Sequence, residues 1–171
     1  MGLFTSTEFN TLDDLFVDQL ADLYDAEQRL TKAIPKMREA ASDPQLKAAF
    51  DHHLRETEGQ VQRLERAFQQ IGIEPKSETC DAMKGLISEG EKVVDAKGDH
   101  GVKDAALIAA AQRIEHYEMA GYGSARNFAQ RLGRFDIADL LQETLDEEGA
   151  ADHKLTEIAE TAVNVQAAQT S

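Results

Sequence analysis

Four long stretches of this 171-residue chain repeat apolar residues at steps of three and four, and each carries a carboxylate halfway along its apolar stripe. The steps mark amphipathic helices, because residues three and four apart share one face. The first stripe runs Leu15, Phe16, Leu20, Leu23, Leu30, Ile34, Met37, with Glu27 on it. The second runs Leu46, Phe50, Thr57, Val61, Leu64, Phe68, with Glu56 at its edge, one turn from His53 and from Gln60. Glu115 and Glu118 lie on the third, among Ile108, Ala111, Tyr122 and Ala125; Glu148 and Asp152 lie on the fourth, between Leu145 and Leu155.

The helix boundaries follow from local chemistry. Thr11 and Asp14 form an imperfect capping box, with Asp in place of the usual Glu. Asp43 is an N-cap followed by Pro44 at the first helical position, and Gly72 and Gly133 stop helices. Pro35 should bend the first helix near its end. These signals predict long helices over about 11–40, 44–71, 101–132 and 135–163, a shorter one over about 81–97 ended by Gly98, and a frayed tail from Asn164 onward. No period-two strand pattern rises above the helical one, so the fold class is all-α. Short turns at Ser42–Asp43 and Gly133 force two antiparallel hairpins, and the connection between them is long enough to run back along the bundle. Two hairpins joined by one long crossover containing a short fifth helix make a ferritin-like four-helix bundle, here in one domain spanning 1–171.

Antiparallel helices of this length share one level at their midpoints. The mid-stripe acids should therefore meet in a single slab of the core. An ionised carboxylate in apolar surroundings costs several kcal/mol unless it is paired or bound to a metal. No Arg or Lys lies on the stripes to pair with them. Protonation is one remedy; a pair of divalent cations is the other, and oxygen-rich ligands suit iron or manganese. The candidate ligands are Glu27, Glu56, Glu115, Glu118, Glu148 and Asp152, with His53 and Gln60 one turn from Glu56. Tyr24, one turn before Glu27, and Tyr122, one turn after Glu118, can donate hydrogen bonds to the cluster. His52, His100, His116 and His153 fall off the stripes or in a loop and are expected in solvent.

Other functions are disfavoured. A net charge of −14, from 32 acidic and 18 basic residues, argues against nucleic acid and anionic membrane surfaces. No stretch approaches the ~18 uncharged apolar residues that a membrane span needs, and Met1 to Asn10 has neither the basic nor the apolar region of a secretory leader. Cys80 is the only cysteine, so an internal disulfide is excluded and a reducing, cytoplasmic setting is expected. There is no phosphate-binding glycine loop, nucleophile elbow or Cys–His nucleophile pair.

Two hairpins, one crossover, a mid-helix Glu on the first helix and the run EHYE (115–118) on the third resemble the ferritin-like di-iron carboxylate proteins, rubrerythrin in particular. More narrowly, LDDLFVDQLADLYDAEQRLTKAIPKM, HHLRETEGQVQRLE and LDEEGAADHKLTEIA are similar to the YciE/YciF-type stress proteins, a ferroxidase family, and the resemblance spans roughly residues 10–163. It implies that Glu27, Glu56, Glu115, Glu118 and Glu148 are metal ligands. The chain departs from the pattern in one respect. Ferritin-like enzymes pair the glutamates of helices two and four with a His as E-x-x-H, whereas Gly59 and Ala151 occupy those places here; Gln60 and Asp152 sit one residue beyond. The site is thereby richer in oxygen and poorer in nitrogen.

The resulting expectation is a carboxylate-bridged dinuclear site holding two divalent ions per chain, iron or manganese. It would react with dioxygen or hydrogen peroxide as a ferroxidase or peroxidase-type oxidoreductase in a stress response, in a protein that forms a homodimer. The rival is a non-catalytic dimeric bundle with a vestigial metal site. Iron storage is a weaker rival, for want of a further helix to build a cage.

Overall fold

A computed structural model describes residues 8–169. The helices in chain order are α1 (Leu12–Ala40), α2 (Pro44–Ile71), α3 (Asp81–Val94), α4 (His100–Arg131) and α5 (Phe135–Ile158); a π-helical turn (Ala159–Val163) then leads into a short α6 (Asn164–Ala167). No strand occurs among the described residues. No helix there is long and apolar enough to cross a membrane. The reading of the N-terminus as lacking a leader falls largely on residues 1–7, outside the described residues.

The boundaries have local causes. At the start of α1, Thr11 Oγ1 accepts from the Asp14 amide while Asp14 returns bonds to the Thr11 and Asn10 amides, so the capping box with Asp is complete. Pro35 sits inside α1, which continues to Ala40. Asp43 accepts from the Gln45 and Leu46 amides and Pro44 begins α2. Gly72 (φ 85°) and Gly133 (φ 72°) take the left-handed conformation that closes the ends of α2 and α4.

Two expected boundaries are corrected. α3 ends at Val94, not 97, because the chain turns before Asp99, which caps α4 by accepting from the Val102 amide. The last long helix reaches its expected end at 163 only through the π turn, and residues 164–167 are helical, not frayed. Buried Ile158, Ala159 and Val163 anchor this segment to the core, and the Thr161 hydroxyl donates to the Glu157 carbonyl.

α1 pairs with α2, α4 with α5, and the hairpins meet through α1–α4 and α2–α5. α3 packs against α1 and α4. The crossover direction is fixed by buried Asp104 near the start of α4. Its two carboxylate oxygens accept from the Ser42 and Asp43 amides at 2.8 and 2.7 Å, so α2 and α4 begin at the same end of the bundle.

The core is in two parts. One apolar cluster holds Leu30, Ile34, Met37, Leu46, Phe50, Leu107, Ile114 and Leu155. The other holds Phe16, Leu20, Leu23, Leu64, Phe68, Tyr122, Ala125 and Leu141. Between them, on every long helix, the buried residues are polar: Glu27; His53, Thr57 and Gln60; Glu115 and Glu118; Thr144 and Glu148.

Candidate metal centre

This polar layer gathers acids from α1, α4 and α5. Glu27, Glu118 and Glu148 are fully buried and Glu115 is 2% exposed. His53, Glu115, Glu118 and Glu148 each place one potential ligand atom within 4.8 Å of all the others. The His53 Nε2 atom lies 3.3 Å from Glu115 Oε1 and 3.9 Å from Glu148 Oε2. Glu118 also adjoins Glu27, which shares its side of the layer with Tyr122.

The hydrogen bonding of this cluster is incomplete. Both oxygens of Glu118, both of Glu148, one each of Glu27 and Glu115, and both ring nitrogens of His53 find no hydrogen-bond partner among the described residues. None of these glutamates forms an ion pair with Lys or Arg there. Native proteins rarely leave buried polar atoms in this condition without an ion, a water or a functional reason.

The electrostatics match. Burial, then repulsion from Glu148, holds Glu27 and Glu115 well above the usual carboxylate range. Glu118 is raised by burial and then by Glu27 and Glu148. Burial also raises Glu148, opposed by the adjacent His53. For His53, burial favours the neutral ring, but Glu56 and Glu148 outweigh it and raise its affinity for a proton. Burial and the neighbouring Glu27 carboxylate raise Tyr122.

The other predicted residues are placed differently. Glu56 is half-buried, its Oε2 3.1 Å from His52 Nδ1 and 3.6 Å from His53 Nδ1. Buried Gln60 donates to Glu147 at 3.0 Å, and its carbonyl oxygen has no partner among the described residues. Asp152 is engaged by α4: it accepts from Gln112 at 3.0 Å and lies 3.3 Å from Nε2 of His116, which is exposed as expected. Tyr24 donates to Glu65, away from the layer, whereas the Tyr122 hydroxyl donates to Glu27.

Two arrangements around the layer went unforeseen. Arg63 forks onto Glu147 and also reaches Glu143, closing the α2–α5 seam beside Gln60. The spacing of Arg63 three residues after Gln60 placed it on that face. On the α3 side, the Tyr117 hydroxyl donates to Asp22 at 2.6 Å and lies 3.0 Å from the Cys80 sulfur. Nothing in the local sequence signals that contact.

The layer is reached from outside. A cleft of about 510 Å³ opens between α2 and α5, and His53, Glu56 and Glu115 line it. Its walls include Ala48, Ala49, Phe50, Ala150, Ala151 and Leu155. Ala151 stands where the E-x-x-H pattern has an imidazole.

The donor set fits a metal. It is anionic and rich in oxygen, with one imidazole, which suits iron or manganese better than a thiolate-seeking ion.

Comparison with known proteins agrees with the architecture. A family model described as a domain of unknown function (DUF892) matches residues 11–168. Protein YciF of Escherichia coli (strain K12) is 44% identical over 158 residues, which cover 92% of this chain and 95% of YciF. The crystal structure of the E. coli stress protein YciF matches with a TM-score of 0.88, covering 91% of this chain and 99% of that one. YcfI of Rhodopseudomonas palustris, described as a candidate structural protein, matches at 42% identity and a TM-score of 0.86, covering 90% of this chain and 98% of that one. A two-domain protein from Anabaena variabilis with DJ-1/ThiJ/PfpI-like and ferritin-like domains matches at 15% identity and a TM-score of 0.61, over 91% of this chain and 38% of that one. At that identity the likeness is one of fold alone.

Proposed function

The chain belongs to the DUF892 family, of YciF type and ferritin-like fold, and from that premise we propose that it is a stress-response oxidoreductase with a carboxylate-bridged dinuclear metal site. The observation that carries the reading is the buried set Glu115, Glu118, Glu148 and His53, with ligand atoms within 4.8 Å and oxygens that no protein group satisfies among the described residues.

In this reading Glu115, Glu118, Glu148 and His53 hold the metal, Glu27 completes the α1 side and Glu56 the cleft side. Two ferrous ions held there would supply electrons for reducing dioxygen or hydrogen peroxide. The chain contributes the rest. The five glutamates supply negative charge that offsets the ions, Tyr122 fixes the orientation of Glu27, and the two apolar clusters keep bulk water from either end of the layer. Small oxidants enter through the α2–α5 cleft. Manganese is the alternative metal, a homodimer the proposed assembly and the cytoplasm the proposed location.

A second reading is a non-catalytic dimeric bundle with a vestigial site. It is favoured by Gly59 and Ala151, which supply no imidazole, and by the engagement of Gln60 and Asp152 with protein partners.

An anaerobic titration of metal-free protein with Fe(II), followed by air or hydrogen peroxide and read by absorbance, tests the choice. The oxidoreductase reading expects saturation near two ions per chain and a fast oxidation signal that Glu118→Ala and Glu148→Ala abolish. Binding without accelerated oxidation supports the vestigial bundle. Oxidation unchanged in both variants shows that the ligands are misassigned.

A further inference from the structure

The α2–α5 cleft is larger and more apolar than hydrogen peroxide or dioxygen requires. Its volume of about 510 Å³ falls in the range of small-molecule sites. The width comes from short side chains: Ala48 and Ala49 on α2 face Ala150 and Ala151 on α5. Phe50 and Leu155 supply buried apolar wall. Polar groups collect at two places, His53, Glu56 and Glu115 towards the layer, and Gln45, His52 and Lys154 on more exposed positions.

We infer that this cleft binds a neutral, apolar organic molecule bearing one hydroxyl or hydroperoxyl head, with its body between α2 and α5 and its head against His53 and Glu56. Neutrality follows from the lining. The carboxylate of Glu56, held ionised, repels an anion, and the Lys154 ammonium on the exposed side opposes a cation. A hydroxyl-type head both donates and accepts, so it can meet a carboxylate and an imidazole together. His53 brings an imidazole whose two nitrogens have no hydrogen-bond partner among the described residues, although it is only 7% exposed. That the occupant is a substrate rests on the metal reading above; that the cleft binds it does not.

The test uses metal-free full-length protein and two probes of one shape, 2-phenylpropan-2-ol and cumene hydroperoxide, followed by NMR shift titration. Saturable binding of both, with shifts centred on Ala49, His53 and Ala151, is expected. Ala151→Leu and Ala49→Leu, each filling the cleft from one wall, should weaken both by about tenfold or more, while circular dichroism and Mn(II) binding stay as in the parent. Preference for the hydroperoxide over the alcohol identifies the head as hydroperoxyl, and equal affinity identifies it as any hydroxyl; either supports the site. No saturable binding to the parent overturns the inference, as does unchanged affinity in both leucine variants. So does sedimentation showing that the leucine variants break a dimer whose formation excludes the probes, since the cleft is then an interface between copies. Mn(II) binding, measured separately, shows whether the metal reading fails independently.

Discussion

The Tyr122 hydroxyl, on α4, donates to Glu27 Oε1, on α1, at 2.5 Å, and both side chains are fully exempt from solvent. Among the described residues this is the one hydrogen bond that Glu27 accepts, and it holds that carboxyl beside Glu118.

Tyr122→Phe removes the donor and keeps the ring. A buried acceptor left without its partner costs about 1–3 kcal/mol. Urea denaturation of the metal-free variant should show a loss of this size, with an unchanged m-value. Equal stability in the two proteins would mean that Tyr122 does not hold Glu27.

The pH dependence of the metal-free protein has a definite sign. Glu27, Glu115, Glu118 and Glu148 bind protons more tightly folded than unfolded. So does His53. Their contribution is complete below the ordinary carboxylate range and is lost as pH rises through the raised folded values. Glu56 and Asp25 are shifted the other way, and their contribution disappears only as pH falls into the acidic range. Thermal melts should therefore give a midpoint several degrees lower at about pH 8 than at about pH 5.5. Saturating Mn(II) should flatten the slope, because bound cations replace protons. A metal-free midpoint that rises over this interval would contradict the assignment of these acids to the layer.

Neutralising one acid separates structure from function. Glu118→Gln and Glu148→Gln keep side-chain size and remove one buried charge. At pH 8 each metal-free variant should be more stable than the parent by roughly 1 kcal/mol or more, while the stabilisation gained from added Mn(II) shrinks or vanishes. Calorimetry of both forms reads the two effects. Glutamates kept for packing alone would leave the metal response intact.

Asp104 tests the topology. It is buried and satisfies two backbone amides of the α1–α2 turn. Asp104→Ala leaves those amides without their acceptor, and a loss of at least about 2 kcal/mol in chemical denaturation is expected. Metal affinity should change little, because the layer lies several turns along the bundle. A small stability loss would show that water replaces the carboxylate freely.

The helices were legible because their signals are local. Thr11 with Asp14, Asp43 with Pro44, and Gly72 each act on the residues beside them, and the apolar steps give the buried face directly. Mid-helix placement of Glu27, Glu115, Glu118 and Glu148 was legible for a related reason: antiparallel pairing turns sequence position into height. Azimuth was harder to read. Asp152 shares the Glu148 face by spacing, yet Gln112 and His116 draw it to the α4 side. Glu56 lies at a stripe edge, where a small rotation of α2 decides between core and cleft. Contacts such as Asp104 with the α1–α2 turn, or Tyr117 with Asp22 and Cys80, join residues remote in sequence, and no periodicity encodes them. The π turn at Ala159–Val163 was invisible for the same reason, since its apolar spacing still reads as ordinary helix.

The division of the core has a mechanical consequence. Greasy packing stops on each side of the acid layer, so the two ends of the bundle are clamped separately and communicate through four helical backbones. Like a column built in two drums, the molecule depends on what is set in the joint: filled, it stands as one piece; unfilled, each drum can loosen without the other.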